Sequence, residues 1–382
     1  MKTSNLRAVL AAGLLIGFTI GTASFEALRA QAPAPPPAQG QDQKQNPDQG
    51  QGQKPPVTVL TPGGGQEQGK KPPDQYTLSV EVPVVNVPVV VADERGDTIT
   101  GLKQSNFRVS EDGVVQTISN FAVPEAPITA VLLLEFSSRG PYGIPTYAAK
   151  AVYWASAFVE QLKKDDWLAL VSFDLHTRIE VDFTQDKLAV RQYLSRMVIP
   201  GFRESCVYDA LFDTLERLED VKGRKAIVML ASGRDTFSKH TYDQTRERLK
   251  KTDVAVFAIS VAQMEEIMIG GASPYGHAEM NYLVADAQMK EFAKLTGGKA
   301  YMPRFDGEIP GDMQEVASML RAQYSLGYTP SNAKRDGAYR KIKVELVAPD
   351  GGPLTVQDQK GKKLKLVVFA RQGYNAPKGP VS

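Results

Sequence analysis

Ala130-Val131-Leu132-Leu133-Leu134-Glu135-Phe136-Ser137-Ser138-Arg139 is an unbroken apolar run that stops at an acidic residue and then turns polar. A strand with one wet face alternates apolar and polar residues; a run without alternation is covered on both faces, as in a parallel sheet. Two more such runs follow at 226–230 and 254–261. Between them apolar residues recur at helical spacing. One helix is expected over 146–162, with Val152, Ala155, Phe158, Val159 and Leu162 facing a core, and others over 186–197, 208–218 and 242–251. Trp167–Phe173 and 178–183 read as a hairpin turned at Asp174-Leu175-His176-Thr177. Helices over 282–295 and 312–323, with a short strand at 299–302, close the series. Strands alternating with helices predict a doubly wound, mostly parallel α/β sheet over residues 127–323.

Outside this unit the period changes to two. Leu78, Val80 and Val82 alternate with polar residues, and Val85, Val87, Val89 and Val91 continue on one face. Pro83 and Pro88 predict an edge or a bend. Turns at 93–97 and Asp112-Gly113 precede a strand at 114–118, and Pro124 and Pro127 mark a boundary. Strands return at 324–328, 340–347 and 363–370, with turns at Arg335-Asp336-Gly337 and Asp350-Gly351-Gly352. Each flank, 76–126 and 324–376, has too few strands to be stable alone. Together they make one small β-sandwich-like domain with the α/β unit inserted between its halves, followed by a tail at 377–382.

The amino terminus reads as an export signal over residues 1–30. Lys2 and Arg7 precede an apolar stretch from Ala8 to Ile20 and then small residues, the order of a secretory signal peptide. An uncleaved membrane anchor is the competing reading, because the stretch nearly reaches a bilayer's width. Residues 31–75 are rich in Gln, Pro and Gly and contain no aromatic residue. Such a segment cannot offset the entropy of ordering and is expected to be a solvated linker.

The 382 residues carry 45 basic and 43 acidic side chains, a formal charge of +2, which gives no electrostatic case for nucleic acid. The single cysteine, Cys206, excludes an intrachain disulfide and a cysteine-built zinc site, and three histidines argue against a histidine-rich metal centre.

The segment Glu135-Phe136-Ser137-Ser138-Arg139 resembles the first metal-site segment of von Willebrand factor type A domains, Asp-x-Ser-x-Ser. Ser205-Cys206-Val207-Tyr208-Asp209-Ala210 is similar to that family's Thr-x-x-Tyr-Asp-Ala, and Leu230-Ala231-Ser232-Gly233 lies where it has Thr-Asp-Gly after an apolar strand. The flanks resemble the related family common in acidobacterial genomes: 101–113 on one side, Tyr324-Ser325-Leu326-Gly327-Tyr328-Thr329-Pro330 and Ala370-Arg371-Gln372-Gly373-Tyr374 on the other. The resemblance covers roughly 76–377.

It implies a site that in relatives holds a divalent cation and a partner's carboxylate, the metal-ion-dependent adhesion site (MIDAS). Mg²⁺ takes a compact oxygen shell at about 2.0–2.1 Å. Here Glu135 stands for the first Asp, Ser137 is retained, Arg139 replaces the second Ser, Ser205 replaces Thr and Ser232 replaces the final Asp. A guanidinium about 4 Å from a divalent ion is repelled by about 8 kcal/mol at an effective dielectric of about 20. The site is therefore read as degenerate and metal-free, with Arg139 pairing with Glu135 over the old cation position; a decayed loop and a weak Mg²⁺ site are the alternatives.

Ligands of a doubly wound sheet meet the loops at the carboxyl ends of its strands, here 135–145, 199–206, 231–241 and 261–281. Arginine and aromatic side chains are enriched at interfaces, so Arg139, Tyr142, Phe202, Arg203, Arg234, Asp235 and Phe237 are the candidate contact residues. Met264, Met268 and Met280 would add an adaptable surface. Asp174, His176 and Asp209 are read as turn and capping groups, and Cys206 as a small buried side chain. The lysines of Lys360-Gly361-Lys362-Lys363-Leu364-Lys365 are read as a solvated hairpin. No catalytic constellation stands out. What the resemblance implies is a secreted, periplasmic or cell-envelope protein that binds another protein through this face, in adhesion or assembly. A structural envelope component with an inert face is the alternative. No nucleic acid is expected as a partner, and a membrane only through an uncleaved anchor.

Overall fold

In the computed structural model, residues 84–124, 126–137, 143–197, 202, 204–269 and 278–379 are described, all within the unit Thr77–Ser382. The chain begins with β1 (Val85–Asp93), β2 (Phe107–Glu111), β3 (Val114–Gln116) and β4 (Ile118–Ala122). The α/β unit runs β5 (Ile128–Glu135), α1 (Gly143–Val159), β6 (Trp167–Phe173), β7 (Thr177–Thr184), α2 (Lys187–Arg196), α3 (Val207–Arg217) and β8 (Arg224–Ala231). It continues with α4 (Tyr242–Leu249), β9 (Ala255–Ser260), α5 (Ala262–Ile269), α6 (Ala278–Thr296), β10 (Ala300–Tyr301) and α7 (Ile309–Arg321). Then come β11 (Tyr324–Tyr328), β12 (Tyr339–Leu346), β13 (Val356–Gln357), β14 (Lys363–Leu364), β15 (Leu366–Ala370) and β16 (Gly373–Asn375).

The central sheet has the order β10-β9-β8-β5-β6-β7. Its neighbours are parallel except for the β6–β7 hairpin. The apolar run of β5 is explained by its place in the middle. Leu132 and Leu134 pack with Trp154, Phe158 and Met313 on one side, while Val131 and Leu133 pack with Leu211, Leu215 and Phe292 on the other. Both faces are buried, so alternation has no physical basis here.

The flanks interleave. One four-stranded sheet has the order β15-β1-β11-β4 and another β16-β12-β2-β3, so strands from both ends of the chain pair in each. Val87 lies opposite Leu326, Val91 opposite Val368, and Val109 opposite Val344. Val87, Val89 and Val91 share a core with Phe107, Tyr324 and Tyr328. Val90 points the other way and joins the α/β core beside Ile309 and Met313 of α7. The α/β unit is thus inserted into a sandwich that neither flank could build alone.

Several expectations change, among them the strand expected at 363–370, which is two: β14 pairs with β13 and β15 with β1. Pro88 lies in an inner strand, opposite Ser325, rather than at an edge. Pairing to β15 starts only at Val89, so on that side no ladder reaches the position where proline lacks an N–H. The single strand expected at 114–118 is two, because the chain leaves one sheet after Gln116 and enters the other at Ile118. Residues 262–269, read as loop, form α5; about two turns are too short for a helical period to show. Leu78, Val80, Val82 and Pro83 lie outside the described residues.

Candidate functional site

β5 and β8 run parallel with Leu134 opposite Leu230, which brings Glu135 level with the first residues beyond β8. Glu135 is buried, as are Ser205 and Ser232. The backbone N–H of Ser232 donates to Glu135 Oε2 at 2.6 Å. Ser232 Oγ reaches Oε1 at 3.2 Å and Ser137 Oγ donates to the same oxygen at 2.6 Å. Ser232 Oγ also accepts the N–H of Arg234 at 3.3 Å. Both oxygens of the carboxylate are therefore held by protein donors. Ser205 is fixed through its backbone: its N–H donates to Thr236 Oγ1 at 2.8 Å, and its carbonyl accepts the N–H of Thr236 at 2.8 Å. The Ser205 hydroxyl is buried and has no partner among the described groups.

The site brings one carboxylate and three hydroxyls, and both carboxylate oxygens already accept hydrogen bonds from protein donors. Ser232 supplies hydrogen-bond donors to Glu135 rather than a second charge. Among the described residues no group of three or more His, Cys, Asp or Glu side chains is placed to hold a metal.

Of the expected contact residues, Arg139, Tyr142 and Arg203 lie outside the described residues, so the Arg139–Glu135 pairing does too. Phe202 and Phe237 are 45% and 65% exposed, and the Phe202 ring meets His176 edge-on at 5.7 Å. Arg234 lies over the Tyr282 ring, 5.1 Å from its centre. Asp235 turns inward: Ser238 Oγ donates to its Oδ1 at 2.5 Å and the N–H of Tyr208, in the first turn of α3, at 3.3 Å. Burial raises its pKa above the ordinary Asp value against those hydrogen bonds. Tyr208, Arg234, Asp235, Thr236, Val284 and Gln288 line a cleft of about 260 Å³. Met264, expected on the surface, is 2% exposed and belongs to the core; the side chains of Met268 and Met280 lie outside those described.

The capping readings hold. Asp174 accepts the N–H of His176 at 2.9 Å within the β6–β7 turn, and Asp209 accepts the N–H groups of Lys239 and His240 at 2.9 and 3.0 Å. His240 also meets Asp209 through Nδ1 at 2.7 Å and stacks on Phe212 with ring centres 3.8 Å apart. The Cys206 thiol is buried and pushed up to about 11, first by burial and then by Asp235 and Asp209, so it is not a thiolate at neutral pH. Sequence reasoning missed Thr236, which fixes Ser205, and Leu283 and Val284 of α6, exposed by 54% and 47%. Two neighbouring apolar residues on a helix carry no signal that one face is left bare.

No family model and no curated protein matches this sequence. Solved structures with a similar trace include an aerotolerance-related membrane protein from Bacteroides fragilis, at 13% identity and a TM-score of 0.38, covering 50% of this chain and 98% of that one. Proximal thread matrix protein 1 from the mussel byssus, with a zinc-occupied MIDAS motif, matches at 12% identity and a TM-score of 0.41, over 55% of this chain and 49% of its own. A von Willebrand factor type A protein from Catenulispora acidiphila matches at 9% identity and a TM-score of 0.41, over 77% and 75% of the two chains.

Proposed function

We propose that this chain is an exported protein-binding module, adhesive or assembly-forming, that engages its partner through the carboxyl edge of the α/β unit with no cation in the contact. One observation carries the reading. The Glu135 carboxylate is turned inward onto Ser137 and Ser232, while Phe202 and Phe237 stand exposed on the same edge. An edge that turns this carboxylate inward and keeps exposed aromatic rings is suited to contact by burial of apolar surface. Export rests on Lys2, Arg7 and the apolar stretch behind them. No helix among the described residues is long and apolar enough to cross a membrane. The reading assigns no catalytic residue.

The test is crosslinking in the native envelope followed by mass spectrometry, with the full chain and a Phe202→Ala/Phe237→Ala variant, each with and without a chelator. The expected outcome is one partner captured equally with chelator and lost in the variant. Capture abolished by chelator would defeat the cation-free reading. Capture unchanged in the variant would show that the face is inert, leaving the structural envelope component.

A further inference from the structure

We propose that the cleft between the sandwich and the first residues of β8 binds a small uncharged molecule of the sugar class. The cleft has a volume of about 580 Å³, within the roughly 300–1,000 Å³ of small-molecule sites, which favour the joins between domains. The sandwich contributes Asn86 and Pro88 of β1 and Ser325 of β11, and the α/β unit contributes Arg224 and Lys225 of β8 together with Asp253. Arg224 opens β8, whereas Ser232 follows its last residue. The cleft therefore lies at the opposite end of the strand from Glu135 and its serines.

Its polar groups are unevenly satisfied. Arg224 donates through Nη1 to the carbonyls of Leu320 and Gln323 at 3.2 and 3.4 Å, and through Nη2 to that of Ala126. Leu320 lies in the last turn of α7, where free carbonyls carry partial negative charge that suits a cation. Lys225, buried, meets Asp253 Oδ1 at 2.8 Å and donates to the carbonyl of Leu218 at 3.2 Å. Gln323 is different. It is 3% exposed and lines the cleft, yet its side-chain amide has no hydrogen-bond partner among the described residues. A buried amide left unpaired is costly, and nearly all such groups have a partner, so this one points to a molecule that completes it. Asn86 Oδ1 accepts from Ser325 Oγ at 2.6 Å, which leaves the Asn86 amide nitrogen as a second free donor.

The ligand's class follows from what is already paired. The guanidinium of Arg224 is held by carbonyls and the ammonium of Lys225 by Asp253. Lys222 and Glu219 stand at the exposed rim, Glu219 facing Arg248 at 3.1 Å. Inside the cleft nothing is left to offset the desolvation of a charged ligand. What remains is an amide that donates and accepts, a second donor, and the apolar side chains of Val84 and Val123, 51% and 46% exposed. Hydroxyl groups also donate and accept, and a sugar ring carries them on a body whose C–H groups can cover apolar surface. This binding does not depend on what the carboxyl edge of the α/β unit engages.

The test is saturation-transfer NMR of the full chain at about pH 6, where an amine is protonated and a carboxyl ionised, with four molecules built on one ring. Glucose and N-acetylglucosamine are neutral, glucosamine is a cation and glucuronate is an anion. The expected result is saturation of the two neutral sugars, with the charged ones weaker by about ten-fold or more. Gln323→Leu removes the amide at similar volume and is expected to weaken the neutral sugars by about ten-fold. Its Tm should equal or exceed that of the parent, since no protein partner is lost. Ala122→Trp, at an exposed position lining the cleft, fills the space with Gln323 intact and is expected to abolish the response. No response from any of the four, an equal response from the charged ones, or a response that survives both variants overturns the proposal. So does a lower Tm in Gln323→Leu, which would mean that the amide serves the fold.

Discussion

Ser232 gives its backbone N–H to Glu135 Oε2 at 2.6 Å, so the loops following β5 and β8 are joined through one buried carboxylate. In Glu135→Ala the N–H of Ser232 loses its acceptor in a site that water reaches poorly. A stranded buried donor costs about 1–3 kcal/mol, and the two serine hydroxyls lose an acceptor as well. The expected loss is about 2–4 kcal/mol, read as a lower denaturant midpoint with an unchanged slope.

Ser232→Asp places a second carboxylate against the first. Two adjacent buried carboxylates cannot both ionise without cost, so the variant is expected to melt below the parent in a metal-free buffer. Adding Mg²⁺ raises the Tm of the variant and leaves that of the parent unmoved. A parent Tm that climbed with Mg²⁺ would contradict the cation-free reading.

Phe202→Ala and Phe237→Ala remove rings that are 45% and 65% exposed. Each is expected to change stability by less than about 0.5 kcal/mol, measured by chemical denaturation. A larger loss would mean that the rings belong to the fold rather than to a contact face.

Gly297 and Gly101 provide a controlled pair, one packed against backbone and one facing open space. Both have positive φ, +81° and +79°. A β-carbon on Gly297 would come within 2.5 Å of Arg371 N, whereas one on Gly101 meets nothing within 4 Å. Gly101→Ala carries only the left-handed backbone cost, about 1–2 kcal/mol. Gly297→Ala adds a backbone clash and is expected to cost at least about 3 kcal/mol. Equal Tm shifts would show that the contact with Arg371 yields freely.

Asp209 gives the pH dependence of the 231–241 loop. Burial works to raise its pKa, but the N–H groups of Lys239 and His240 and the His240 ring outweigh it, so the carboxyl lies below the ordinary Asp value. A depressed carboxyl contributes stability above its unfolded pKa and loses it as pH falls through the folded value. Stability is therefore expected to decline from about pH 5 downwards, more shallowly in Asp209→Asn. Identical pH profiles for the two proteins would remove Asp209 from this role.

Much of the α/β unit was legible because burial leaves a local mark. The run Val131-Leu132-Leu133-Leu134 has no alternation, and those residues do face two helical layers. Trp167–Phe173 was read to the residue because Asp174 closes it with a turn. The candidate site was only half legible. Glu135, Ser205 and Ser232 were placed together by resemblance, but nothing local showed that Ser232 donates to Glu135 instead of accompanying it as a ligand. Thr236 was missed, since a threonine that grips another loop's backbone looks like any loop threonine.

By itself the sequence determined the alternation of strands and helices in the α/β unit and that the flanks must combine, because periodicity records how many faces of a segment are buried; it did not show α5 or β2. Only the tertiary structure decided that Val87 pairs with Leu326, that β3 and β4 enter different sheets, and that Glu135 accepts from a residue 97 positions away. Those are choices of partner, and a hydrogen-bonding group carries no local record of which distant group will satisfy it.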